Sequence, residues 1–175
     1  MKQFLLTALA LVAFATSKAQ QVKLNVILKP IQTLVVNDEQ KTVNLEYTTA
    51  NDYLNGVGKT NQDHLTIYST GGFQVKVKAN NANMQLAGKT MAVSTVKLTA
   101  SAGSQALTNA TYQQDMSLTG GGSEATLVSS SNGAVNKNVT VKYQGAGANA
   151  YIDNYVPNQN PSTYTADLTY TIVSA

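Results

Sequence analysis

The sequence predicts an all-β protein, an antiparallel immunoglobulin-like β-sandwich. Three observations lead there. Short segments alternate apolar and polar residues with a period of two, as half-buried strands do. Those segments are separated by clusters rich in Gly, Asn, Asp and Pro, the residues that make turns. No stretch after the N-terminal leader carries a convincing 3.6-residue period, and Thr, Ser, Asn, Gln, Val and Tyr dominate, a palette suited to exported β-proteins.

The elements follow in chain order. Residues 22–36 read VKLNVILKPIQTLVV. Val22, Leu24, Val26 and Leu28 fall on one face, with Lys23 and Asn25 on the other, so residues 22–28 are expected to form a strand. Pro30 cannot donate to a ladder and marks a break or an edge; a second apolar run follows from Ile31 to residue 36. Residues 42–47 alternate, with Val43, Leu45 and Tyr47 inward. A polar connection spans 48–63, and 64–68 is a short strand with Leu65 and Ile67 inward. After Gly71-Gly72 comes the clearest strand, 73–79: Phe73, Val75, Val77 and Ala79 face in, while Gln74, Lys76 and Lys78 face out. Residues 93–100 form another strand, with Val96 and Leu98 inward. Residues 101–123 lose the pattern, apart from a short strand around Met116 and Leu118. Segments 124–130 and 137–143 flank Asn132-Gly133 and predict a hairpin. A long loop spans 144–162, and the chain closes on Tyr164, Ala166, Leu168, Tyr170 and Ile172, alternating with polar residues. The expected core includes Leu45, Ile67, Phe73, Val75, Val77, Val141, Leu168 and Ile172.

Residues 1–19 have the form of a signal peptide: Lys2, an apolar stretch from Phe4 to Phe14, then Ser17 and Ala19 as small residues before a cleavage site. The apolar stretch is too short for a spanning helix, and no other segment approaches that length. Residues 20–175 then form one domain, large enough for a core without staples. There are no cysteines and no arginines. Loss of Lys2 and Lys18 lowers the formal charge from +3 to +1. A nearly neutral chain without arginine argues against nucleic acid as a partner.

Chemistry is sparse. The single histidine, His64, follows Asp63. Neighbours in a strand point to opposite faces, so Asp63 is badly placed to orient the ring, and no triad is expected. One histidine without cysteine does not make a zinc site, and no calcium-loop, Walker or metalloprotease string occurs. The expectation is a protein that is not an enzyme and needs no cofactor or metal. One constellation remains: residues 143–164 interleave Tyr151, Tyr155 and Tyr164 with Asn149, Asp153, Asn154 and further amides. Tyrosine faces and amides suit sugars; the plainer reading is that these residues cap the end of the sandwich. Tyr151, Asp153, Asn154 and Tyr155 are the candidate glycan contacts.

Both ends of the chain carry a resemblance. The alternating segment, Pro30 and the run Ile31, Gln32, Thr33, Leu34, Val35, Val36 resemble the start of cysteine-free, alpha-class fimbrial subunits. The closing stretch from Pro161 to Ile172 resembles the last strand of those pilins and of spore-coat-U-like secreted sandwiches. The resemblance covers about thirty residues at the two ends. It implies an N-terminal extension that fills a groove in the next subunit, with Val22, Leu24, Val26 and Leu28 as the strand-exchange side chains. The expected function is a secreted, non-enzymatic cell-surface protein of structural or adhesive type, at the extracellular surface or in the periplasm, partnered by copies of itself or another surface subunit. The alternative is a peptidoglycan- or glycan-binding module of the cell envelope, with cell-wall glycan as its partner. Mass spectrometry of the exported protein should give a chain that begins at Gln20; an intact Met1 in the secreted fraction would overturn the export reading.

Overall fold

The computed structural model describes residues 20–175; the predicted signal peptide lies outside the described residues. The strands, in chain order, are β1 (Gln32–Val36), β2 (Gly58–Ser69), β3 (Phe73–Ala79), β4 (Asn83–Leu86), β5 (Lys89–Ala92), β6 (Lys97–Ala102), β7 (Ala110–Tyr112), β8 (Met116–Ser117), β9 (Ala125–Ser130), β10 (Ala134–Gln144) and β11 (Leu168–Ser174), with one short helix, α1 (Ala50–Asn55). One sheet runs β1-β2-β10-β6-β8, the other β11-β3-β9-β7, and β4 pairs with β5 as a separate hairpin. The named pairings are antiparallel. The chain is therefore an all-β, sandwich-like fold.

The core lies between the two large sheets. In β3, Phe73, Val75, Val77 and Ala79 are fully buried, while Gln74, Lys76 and Lys78 are half-exposed. Facing them from the other sheet are Leu65 and Ile67 of β2, Leu98 and Ala100 of β6, and Val139 and Val141 of β10. Of the expected core, Ile67, Phe73, Val75, Val77 and Val141 are wholly buried. Leu45, Leu168 and Ile172 are only partly buried and pack against the core from outside.

Several expectations need correction. The predicted hairpin around Asn132-Gly133 does not exist: β9 pairs with β3 and β7, whereas β10 pairs with β2 and β6. The turn carries the chain from one sheet to the other, tight against the end of β2, where a Cβ on Gly133 would stand 2.6 Å from the Ser69 carbonyl oxygen. Residues 101–123 hold β7 as well as the expected β8. The strand expected at 93–100 begins only at Lys97, after a 3-10 turn at Val93–Thr95. The polar connection 48–63 hides α1 and the first half of β2. That helix is nucleated by a capping box, in which Asp52 N–H donates to Thr49 Oγ1 and Thr49 N–H donates to the Asp52 carboxylate, so two otherwise orphaned donors are satisfied. Residues 42–47 keep their alternation but join no sheet. Residues 22–28, expected as a strand, pair with nothing among the described residues.

Truncation of Phe73 to Ala should cost about 3–5 kcal/mol in urea unfolding, as for a buried aromatic in a packed core. Lys76→Ala, on the opposite face, should stay within about 0.5 kcal/mol. Equal losses would contradict the register of β3, because a one-residue slip exchanges the faces.

Candidate functional site: an open groove between two unpaired segments

Beyond Val36 the edges of the two sheets separate. β1 packs against β11, but the chain preceding β11 and the chain following β1 diverge around a groove of about 1170 Å³. One wall is residues 42–47. Exposure alternates along it, with Val43, Leu45 and Tyr47 turned inward. The other wall is residues 161–168, alternating in the same way, with Tyr164, Ala166 and Leu168 inward. Period-two exposure is the mark of pleated, extended chain. Yet among the described residues the main chain of 42–47 makes no hydrogen bond, and along 161–167 only the Asp167 carbonyl accepts one, from Asn80 N–H at 2.9 Å. Both walls therefore present rows of open donors and acceptors. Exposed strand edges of this kind are templates for a further strand.

The floor is apolar along most of its length. Met84 and Met91, paired across the β4–β5 hairpin, join Val96 and Leu118 there. The sequence reading overlooked this hairpin, although its turn carries a signal in Ala87-Gly88, both at positive φ.

Where β1 meets β11, the floor becomes polar. His64 of β2 is 2% exposed. Its Nδ1 lies 3.0 Å from Gln40 Oε1 and its Nε2 2.8 Å from the Tyr143 hydroxyl, which in turn lies 2.5 Å from the Tyr170 hydroxyl. The Gln40 Oε1 acceptor is nearer to Nδ1 than the Asn61 Nδ2 donor at 3.5 Å, so Nδ1 carries the proton and Nε2 accepts from Tyr143, which accepts from Tyr170. This relay joins three regions: Gln40 on the connection leading into the first wall, Tyr143 on β10, and Tyr170 on β11 beyond the second wall. Burial holds the His64 imidazolium form down, so its pKa falls below 6.5. Burial also raises the Tyr143 phenol to about 12, against a smaller lowering by its hydrogen bond from Tyr170. Tyr170 is pushed well above its usual value by burial first and by Tyr143 second. All three groups are uncharged at neutral pH. Asp63 points away, accepting from Ser104 N–H at 2.7 Å, and does not touch the ring. Among the described residues no three His, Asp or Glu side chains gather to hold a metal.

Of the candidate glycan residues, Tyr151, Asn154 and Tyr155 line the other end of the groove. Tyr151 is 8% exposed; its hydroxyl donates to Thr95 Oγ1 at 2.7 Å and its ring meets Tyr47 edge-on at 5.1 Å. Tyr151 is thus a packing residue rather than an open platform. The Asp153 carbonyl accepts from Lys89 Nζ, Asn154 Nδ2 donates to Thr90 O, and the Asn154 carbonyl accepts from the Tyr164 hydroxyl. Those contacts tie the loop to the β4–β5 hairpin and to the second wall. Asp153 and Tyr155 are the exposed members of the four, Tyr155 at 51%. The strand-exchange residues lie elsewhere: Val22, Leu24, Val26 and Leu28 are 77–90% exposed, at the start of the chain that leads into β1.

No protein-family model matches the chain, and no curated protein matches it.

The depressed His64 pKa has a consequence for stability. The unfolded chain takes up the proton near pH 6.5, before the folded one does, so the stabilisation is present above pH 6.5 and is lost as pH falls below it. Urea midpoints should be flat from pH 8 to 7 and then fall, with a limiting slope of about 1.4 kcal/mol per pH unit for one proton. His64→Gln should remove the slope in this window. A slope unchanged in that variant would show that another group is responsible.

Proposed function

We propose that the protein is an exported, non-enzymatic surface subunit that assembles by strand addition, with residues 22–28 of one copy lying in the groove of the next. The carrying observation is that one chain holds both complementary parts. It has an extended-wall groove with open main-chain groups on both sides, and a solvent-exposed segment whose four alternating apolar side chains have no partner among the described residues.

Connectivity favours a second copy over the same domain. Residue 28 is joined to β1 by three residues, and β1 leads away from its start toward the groove, which opens only past Val36. To enter its own groove the segment would have to double back along the five residues of β1, about 14 Å, on a tether of about 10–14 Å. A neighbour imposes no such reversal.

Magnitudes indicate why both walls matter. Burial of Val22, Leu24, Val26 and Leu28 is worth about 6–12 kcal/mol at 1.5–3 per side chain. Ordering seven residues costs about 7–14 kcal/mol of backbone entropy. Those terms nearly cancel, so main-chain hydrogen bonds to the two walls, about 0.5–1.5 kcal/mol each, decide whether the strand stays. Strand addition works in this way, through main-chain bonds for affinity and alternating side chains for register.

Deletion of residues 20–29 should leave a folded monomer that binds a synthetic peptide of those residues. Val26→Asp in the peptide should abolish that binding, because an unpaired charge is strongly disfavoured on a buried face. Unfolding or aggregation of the truncated protein, or a failure to bind the unmodified peptide, would sink the proposal.

A further inference from the structure

The geometry points to a second contact between successive copies: the pole bearing Ile31 and Val135 docks on the opposite pole bearing Leu54, Ile152 and Tyr155. The inference rests on the strand-addition reading and adds to it the surface that sets how neighbours are arranged.

β2 runs from one pole to the other. Its twelve residues span about 36 Å. Ser69, at one end, lies opposite Gln32 on β1 and Ala134 on β10; Gly58, at the other, lies opposite Gln144. At the first pole, Ile31 exchanges hydrogen bonds with Thr70, and Val135 follows Ala134. At the second, α1 and the loop after β10 are joined by Ala148 N–H to Leu54 O and Asn149 N–H to Tyr53 O, and the Ile152 N–H returns to Asn149 O. Leu54, Ile152 and Tyr155 thus share one end of the molecule. These five side chains are each more than half exposed.

Chain reach identifies what covers them. Only Lys29 and Pro30 separate Leu28 from Ile31, so a groove that holds Leu28 lies within about 10 Å of the Ile31 pole. The neighbour's body is therefore pressed against that pole. One end of its groove is shut where β1 meets β11 and is flanked by the charged Asp38, Glu39 and Lys41. The other end reaches Tyr155, on the pole that also bears Leu54 and Ile152, and with the first end shut Leu28 leaves there. The inserted strand then runs antiparallel to residues 161–168 and parallel to residues 42–47, because the two walls run in opposite directions. The two poles lie at opposite ends of β2, so the contact is head-to-tail and does not close, which yields an open filament.

The test uses the full-length exported protein, with chain length read by electron microscopy and sedimentation. Val135→Lys and Ile152→Glu lie on exposed positions, and each should weaken end-to-end association about tenfold. The double variant carries opposite charges on the two facing poles and should recover to within about threefold of the parent. In the 20–29 deletion background each variant should bind the peptide of residues 20–29 as the parent does. Chains of parental length in both single variants, with peptide binding intact, would overturn the pole contact and leave strand addition standing. Single variants that shorten chains without recovery in the double variant would overturn the pairing of these two poles. Absence of peptide binding in the parent itself would overturn strand addition and this inference with it.

Discussion

The structure depends on a gap in its own hydrogen bonding. Between residues 42–47 and 161–168 the chain lays out two pleated edges and supplies no strand to join them. Main-chain N–H and C=O groups are obligatory hydrogen-bonding groups, and here water has to serve them on both sides of an apolar floor. The partly buried state of Leu45 and Leu168, beside the complete burial of Ile67, Phe73 and Val141, has the same origin. The sandwich is closed over most of its area and open along one seam.

The His64–Tyr143–Tyr170 relay sits where that seam ends. It fastens β2, β10, β11 and, through Gln40, the start of the first wall. A buried polar network is favourable only if each member is satisfied. Here each hydroxyl or ring nitrogen in the relay has a partner, and none carries charge at neutral pH. The relay therefore marks the boundary between the paired part of the sandwich and the unpaired part.

Much of this was legible in the sequence, and what was not has definite causes. β3 was readable because alternation is local: Phe73, Val75, Val77 and Ala79 announce a face without reference to the rest of the chain. The groove walls were also readable as alternating chain. Their lack of partners was not, because pairing depends on residues far away. The Asn132-Gly133 turn misled for the same reason, since a tight turn between two apolar runs looks alike whether the runs pair or change sheets. α1 was overlooked because six residues are too few to show a helical period; the Thr49-x-x-Asp52 spacing was the available signal. Tyr151 could be read as a cap of the sandwich or as a sugar contact, and the choice was not local, because its burial arises from Tyr47 and Thr95, which lie 104 and 56 positions away. The relay had no local signature, as its members are 24 to 79 residues apart.

The orientation of β1 has a mechanical consequence. Residues 22–30 lead in sequence into β1, whose ladder to β2 extends from Gln32–Ser69 to Val36–Leu65. In an antiparallel ladder the hydrogen bonds lie perpendicular to the strands. Tension applied through Pro30 along the axis of β1 therefore loads the rungs of that ladder together, in shear, instead of peeling them off one after another. Resistance to pulling is thus spread over the strand, and it reaches β10 through β2, which pairs with both β1 and β10. The domain is better suited to bearing load along this axis than across it.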